Sequence, residues 1–178
     1  MKPQILHRIR DWTAFGARRA IDLAMPPHCP VTQEDVASAG VLGAKAWGAV
    51  HFISDPACRR CGAPFSADYG EEVECPSCIA APPDFDRARA AIVYDDASHQ
   101  LVVRFKHGDR TDLAAMFGGW MARAADGMVT GSSILTPVPL HPRRLLARRF
   151  NQSALLAGAV ARETGARLAV DGHVRRRA

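Results

Sequence analysis

Two Cys-x-x-Cys pairs, Cys58-Arg-Arg-Cys61 and Cys75-Pro-Ser-Cys78, hold four of the five cysteines in this chain, with thirteen residues between the pairs. Cysteines two residues apart set both sulfurs on one side of a tight turn. A second such pair completes a tetrahedron around one zinc ion, at roughly 2.3 Å per bond. Gly62 follows the first pair directly, where such a turn favours a residue that tolerates positive φ. The residues between the pairs include Pro64, Phe65, Tyr69, Gly70 and Val73 and suffice for a short β-hairpin. The gap is slightly shorter than usual for this pattern, and residues 57–83 still read as a zinc ribbon.

Two disulfides are the rival reading. No secretory signal precedes the motif, and disulfides rarely persist in a reducing cytosol. A redox Cys-x-x-Cys needs one pair on a thioredoxin-like βα unit, not two pairs among turn residues. Four thiolates leave no open position for water, so the expected metal is structural rather than catalytic.

Upstream, residues 4–24 place Ile5, Ile9, Trp12, Phe15 and Ile21 at helical spacing, with arginines between them and Pro26-Pro27 as the stop. This predicts an amphipathic helix docked by its apolar stripe. Its basic, Trp-bearing face also admits a membrane-surface or targeting role. There is no apolar run of eighteen, hence no expected membrane span. Pro27-His28-Cys29-Pro30-Val31-Thr32 resembles half of another metal knuckle, with Thr32 where a second cysteine would stand. Cys29 is accordingly expected to be a free or buried thiol. Residues 46–53 suggest a strand leading into the zinc site. Residues 1–56 thus form a helix and connecting segment, 57–83 the ribbon, and 84–178 the main domain.

In that domain Ala88–Tyr94 reads as a buried strand and 98–106 has helical spacing. Residues 111–125 form an amphipathic helix with Thr111 as a plausible N-cap. Ile134–Val138 reads as a second strand, and 151–164 as a helix closed by Gly165. Strand–helix–strand–helix order predicts a parallel, doubly wound α/β domain.

Charge is uneven. Residues 1–100 carry 10 Lys/Arg against 13 Asp/Glu, and residues 101–178 carry 13 against 5. The basic half is therefore the one suited to an anion such as phosphate or nucleic acid. Within it, Thr136-Pro-Val-Pro-Leu-His-Pro-Arg-Arg-Leu-Leu-Ala-Arg-Arg-Phe-Asn-Gln152 leaves a strand and enters a helix, the edge where open α/β sheets bind ligands. Arg144 and Arg148 share a face if that turn is helical, and guanidinium forks suit phosphate oxygens. Asn151 and Gln152 stand at a helix start, where an anion is favoured. A solvated basic loop is the plain alternative. His99, His107 and His141 have no nucleophile or carboxylate in a recognisable partnership, so surface or packing roles are expected of them.

Together these motifs resemble the ComF family of phosphoribosyltransferase-like proteins linked to DNA uptake. The resemblance rests on Cys58, Cys61, Cys75 and Cys78, on Tyr94, on Leu101 to Lys106, on Pro137 to Leu140 and on Arg144 to Gln152. It implies a type I phosphoribosyltransferase-like parallel sheet behind the ribbon, cytoplasmic action in natural transformation, and contact with single-stranded DNA or the uptake machinery. Structural Zn2+ is the implied metal; Mg2+ and phosphoribosyl pyrophosphate enter only with transferase activity. Arg149 departs from the family, which has glycine there. The family's flexible catalytic loop and pyrophosphate loop would follow His173–Ala178, so these 178 residues are expected to be inactive as a transferase. Ala91–Ser98 mimics the pyrophosphate loop but lacks its glycine, and reads as a strand end and turn. The competing class is a non-enzymatic zinc-ribbon module that binds single-stranded nucleic acid or a partner protein.

Overall fold

The computed structural model describes residues 26–70, 72–107 and 110–175. The amphipathic segment expected over residues 4–24 lies outside them. In chain order the elements are α1 (Ala44–Gly48), α2 (Pro76–Ala80), α3 (Asp96–His107), α4 (Leu113–Ala124), β1 (Ile134–Leu135), α5 (Pro142–Arg148), α6 (Gln152–Thr164) and β2 (Arg167–Leu168). None of these helices is long and apolar enough to cross a membrane.

The fold is mostly helical, which corrects the expectation of a broad parallel sheet. Among the described residues the sheet has two strands, β1 and β2, paired parallel with Ile134 opposite Arg167 and Leu135 opposite Leu168. A parallel pair needs a long crossover, and α5 and α6 supply it. The segment Ala88–Tyr94 forms no named strand. It lies extended against residues 51–53 through the antiparallel bridge Phe52–Ile92 and two bonds, Ile53 N to Ala91 O (3.1 Å) and Val93 N to His51 O (2.8 Å). Residues 46–53 likewise divide between the end of α1 and this bridge. With Pro56 close behind and without its amide hydrogen, the ladder has nowhere to extend.

The core collects Val50, Leu101, Phe105, Leu113, Ala114, Phe117 and Trp120. α3 and α4 contribute most of it because their apolar residues recur at helical spacing. Aromatic pairs run from it, tilted at Phe105–Phe117 (5.4 Å) and edge-on at Phe117–Trp120 (5.4 Å), Trp120–Phe52 (5.0 Å) and Trp120–Trp47 (5.7 Å). α4 and α6 approach closely at Gly118, where a Cβ would stand 2.2 Å from Ala159 Cβ.

The helix starts follow ordinary capping chemistry. Asp95 Oδ1 accepts from Ser98 N (2.9 Å), and Ser98 Oγ accepts from Asp95 N (2.8 Å). This reciprocal box closes the α3 N-terminus and gives the acidic turn after Ala91–Tyr94 a structural role. The Ser98 amide and then His51, 2.6 Å from Oδ2, hold the Asp95 carboxyl at about 2. For α4 the N-cap is Asp112, not Thr111, and its carboxylate turns away to receive both ends of the Arg110 fork (2.9 and 2.8 Å).

Candidate metal centre and basic edge

Cys58 and Cys61 are brought together by a tight turn in which Gly62 N donates to Cys58 O (2.8 Å) and Cys58 N donates to Ala63 O (2.8 Å). Gly62 sits at φ 74°, the left-handed region expected of it. A Cβ there would also lie 2.9 Å from Ala88 O, so the glycine lets the knuckle dock on the next segment. Cys75 N-caps α2, and that single turn carries Cys78. The four Sγ atoms lie within 4.8 Å of one another.

Cys61 Sγ and Cys75 Sγ are 3.7 Å apart. A tetrahedron with bonds of about 2.3 Å has sulfur–sulfur edges of about 3.8 Å, whereas a disulfide would need about 2.05 Å. All five cysteines are free thiols. The donor set therefore fits one zinc ion held by Cys58, Cys61, Cys75 and Cys78, and the disulfide reading fails.

Electrostatics favour the same outcome. Burial pushes the Cys58 thiol up, but the amides and neighbours around it, chiefly Cys61 and Cys75, prevail and bring it to about 6. Cys75 N reaches its sulfur at 3.2 Å. Burial and then the surrounding thiols push Cys78 up to about 12. Four sulfurs this close cannot all be anionic without a cation, and a zinc ion would supply one.

The ribbon is tied to the chain beyond it. Arg89 Nη1 donates to Cys58 O (3.2 Å) and Arg59 O (2.9 Å), and Ala88 N donates to Arg60 O (2.6 Å). Across its arms Arg59 pairs with Glu72 and Glu74, and Arg60 with Glu74. The Arg59–Glu72 pair is exposed and contributes little stability, while the Arg60–Glu74 pair is half-buried.

At the other candidate site, residues 142–148 are helical, so Arg144 and Arg148 do lie one turn apart. Arg144 is exposed and Arg148 half-buried. Asn151 and Gln152 also have structural work. Asn151 caps α6 by accepting from Ser153 N (3.0 Å) and donates to Val138 O (3.0 Å). Gln152 is buried and donates to Lys106 O (3.1 Å). His141 caps α5 by accepting from Arg143 N (3.3 Å), and His99 stacks edge-on against Tyr94 (5.8 Å). The side chain of His107 lies outside the described residues.

Arg149 closes α5 at φ 65°, ψ −20°. A left-handed conformation costs an L-residue with a Cβ about 1–2 kcal/mol. Arg149→Gly is therefore expected to stabilise the protein by about 1 kcal/mol, after the greater freedom of glycine in the unfolded chain is subtracted. Thermal denaturation should show Tm rising by a few degrees; a lower Tm would mean the guanidinium holds the turn.

Residues 20–79 match the double zinc ribbon domain family. No curated protein and no solved structure matches the chain. The family match covers the four-cysteine ribbon and the segment around Cys29, and stops short of the basic half, where the ComF resemblance rests on its motifs alone.

Proposed function

We propose that this chain is a ComF-like zinc-ribbon protein that holds single-stranded DNA on its basic edge, in the cytoplasm, as part of DNA uptake. The observation that carries this reading is the state of the α5 arginines. Arg143, Arg144 and Arg149 are exposed and Arg148 half-buried, and no ion pair among the described residues engages any of them. Unpartnered guanidinium groups beside a strand exit suit phosphate oxygens. The ribbon contributes shape, since its metal is fully ligated by protein and has no position for substrate.

Single-stranded DNA affinity should fall steeply with salt, because each phosphate contact releases counterions. Replacing Arg144 and Arg148 together by alanine should weaken binding regardless of sequence and flatten the log–log salt slope by about 1.4. Fluorescence anisotropy with a labelled oligonucleotide measures both. An unchanged slope in the double variant would remove the α5 edge as the DNA site.

Phosphoribosyl transfer, with Mg2+ and phosphoribosyl pyrophosphate, is the second reading. What favours it is the parallel β1–β2 pair around a helical crossover, the arrangement from which open α/β ligand sites are built. Titration calorimetry with phosphoribosyl pyrophosphate and Mg2+ separates the readings: heat of binding supports the transferase, and its absence alongside DNA binding supports the module.

A further inference from the structure

The turn around Cys58 has a twin. In the ribbon, Cys58 N donates to Ala63 O (2.8 Å), Gly62 N to Cys58 O (2.8 Å) and Phe65 N to Pro56 O (2.9 Å), and Ala57 bridges Pro64. Twenty-nine residues earlier the same bonds recur, counting from Cys29 in place of Cys58. Cys29 N donates to Glu34 O (2.7 Å), Gln33 N to Cys29 O (3.1 Å) and Val36 N to Pro27 O (2.9 Å), and His28 bridges Asp35. Even the left-handed residue is matched, Gln33 at φ 61° for Gly62 at φ 74°.

The second arms correspond too. Cys75 N-caps a five-residue helix at φ −72°, ψ 158°, and Gly43 N-caps a five-residue helix at φ −69°, ψ 163°. Within those helices Cys78 and Ala46 are each 5% exposed. The amide of Cys75 donates to Cys58 Sγ (3.2 Å), and Cys29 Sγ likewise accepts a backbone amide, that of Thr32 (3.5 Å). The four ligand positions of the first unit are thus Cys29, Thr32, Gly43 and Ala46. One thiol remains of four. Thr32 Oγ1 is buried with no partner at hydrogen-bonding geometry. A Cβ at Gly43 would fall 1.6 Å from Glu34 Oε1, so a carboxylate side chain crowds the place of the third ligand. Among the described residues the only metal-competent cluster is the Cys58 set.

We infer that residues 27–46 are a second ribbon that folds without metal, so that the chain binds one zinc where a double zinc ribbon would hold two. Packing replaces the ion. α1 and the residue after it in the core, Val50, lie against α4 through Trp47 and Trp120, and Gly40 meets Asp112 O so closely that a Cβ would come within 2.5 Å of it. A unit anchored in a core no longer depends on a metal for its fold.

Metal analysis of the purified full chain tests this. The wild type should carry one zinc per chain, and Cys29→Ser should still carry one. Restoring the ligands with Thr32→Cys, Gly43→Cys and Ala46→Cys, plus Glu34→Ala to clear the site as Ala63 does in the other ribbon, should double the count to two. Two zinc ions in the wild type, or loss of zinc from Cys29→Ser, would overturn the inference whether or not the restored variant folds. A folded restored variant that stays at one zinc would overturn the correspondence of the positions.

Discussion

Removing zinc, by a strong chelator or by Cys61→Ser, should abolish protection from hydrogen exchange over residues 57–89 while the core around Trp120 keeps its fold. Among the described residues between 57 and 80 the buried ones are Cys58, Gly62 and Cys78, two ligands and the glycine of the turn. No apolar cluster among the described residues stands behind them, so the metal is the core of this unit. Zinc contributes about 10–16 kcal/mol in comparable small domains, as much as the whole stability of an ordinary domain, about 5–15 kcal/mol. The loss reaches residue 89 because Arg89 and Ala88 bond to carbonyls of the knuckle that only a formed turn presents. Acid should act in the same direction. Thiolates bind the ion and thiols do not, so affinity falls as pH drops and protons compete for all four sulfurs. Hydrogen exchange read by mass spectrometry resolves the segments. Unchanged protection in Cys61→Ser would mean that something other than metal holds the ribbon, and collapse of every segment would make the ribbon integral to the fold.

The metal centre was legible because its chemistry is local. Ligand type, the two-residue spacing and Gly62 are all visible within one short stretch, and the geometry follows from them. The same holds for α6, whose start at Asn151 and stop at Gly165 are written in its own caps. Strands were harder. Ala88–Tyr94 is apolar enough for a sheet, but whether it gains a ladder depends on residues 51–53, some forty positions away, and these offer one bridge before Pro56. Whether Arg144 and Arg148 share a face depended on the turn being helical, and residues 142–148 are. The side-chain amides of Asn151 and Gln152 also donate to Val138 O and Lys106 O, groups that the sequence alone does not bring near. Cys29 and Thr32 were visible as half a knuckle. The other half was hidden because Gly43 and Ala46 carry no ligand atom to reveal the pattern.

Trp120→Ala should separate the two ribbons energetically. Trp120 is 4% exposed and meets Trp47, Phe52 and Phe117 edge-on. Truncating a buried tryptophan costs about 3–5 kcal/mol, and each edge-to-face pair is worth about 0.5–1.5 kcal/mol beyond the area it buries. Relaxation offers little relief. On the same helix Gly118 is already pressed against Ala159, so α4 cannot slide to fill the void without a clash. Tm should fall by on the order of 10 °C, with the transition in urea moving to match. The loss falls on the metal-free ribbon, since Trp47 and Phe52 lose the ring that holds α1 and the 51–53 segment to the core. The zinc count should nevertheless stay at one, because the Cys58 set folds around its own ion and has no side chain in that cluster. Trp120→Phe keeps an aromatic edge and should recover most of the stability. If Trp120→Ala instead released zinc, the two ribbons would share one cooperative unit, and the metal would be holding residues 27–46 at a distance.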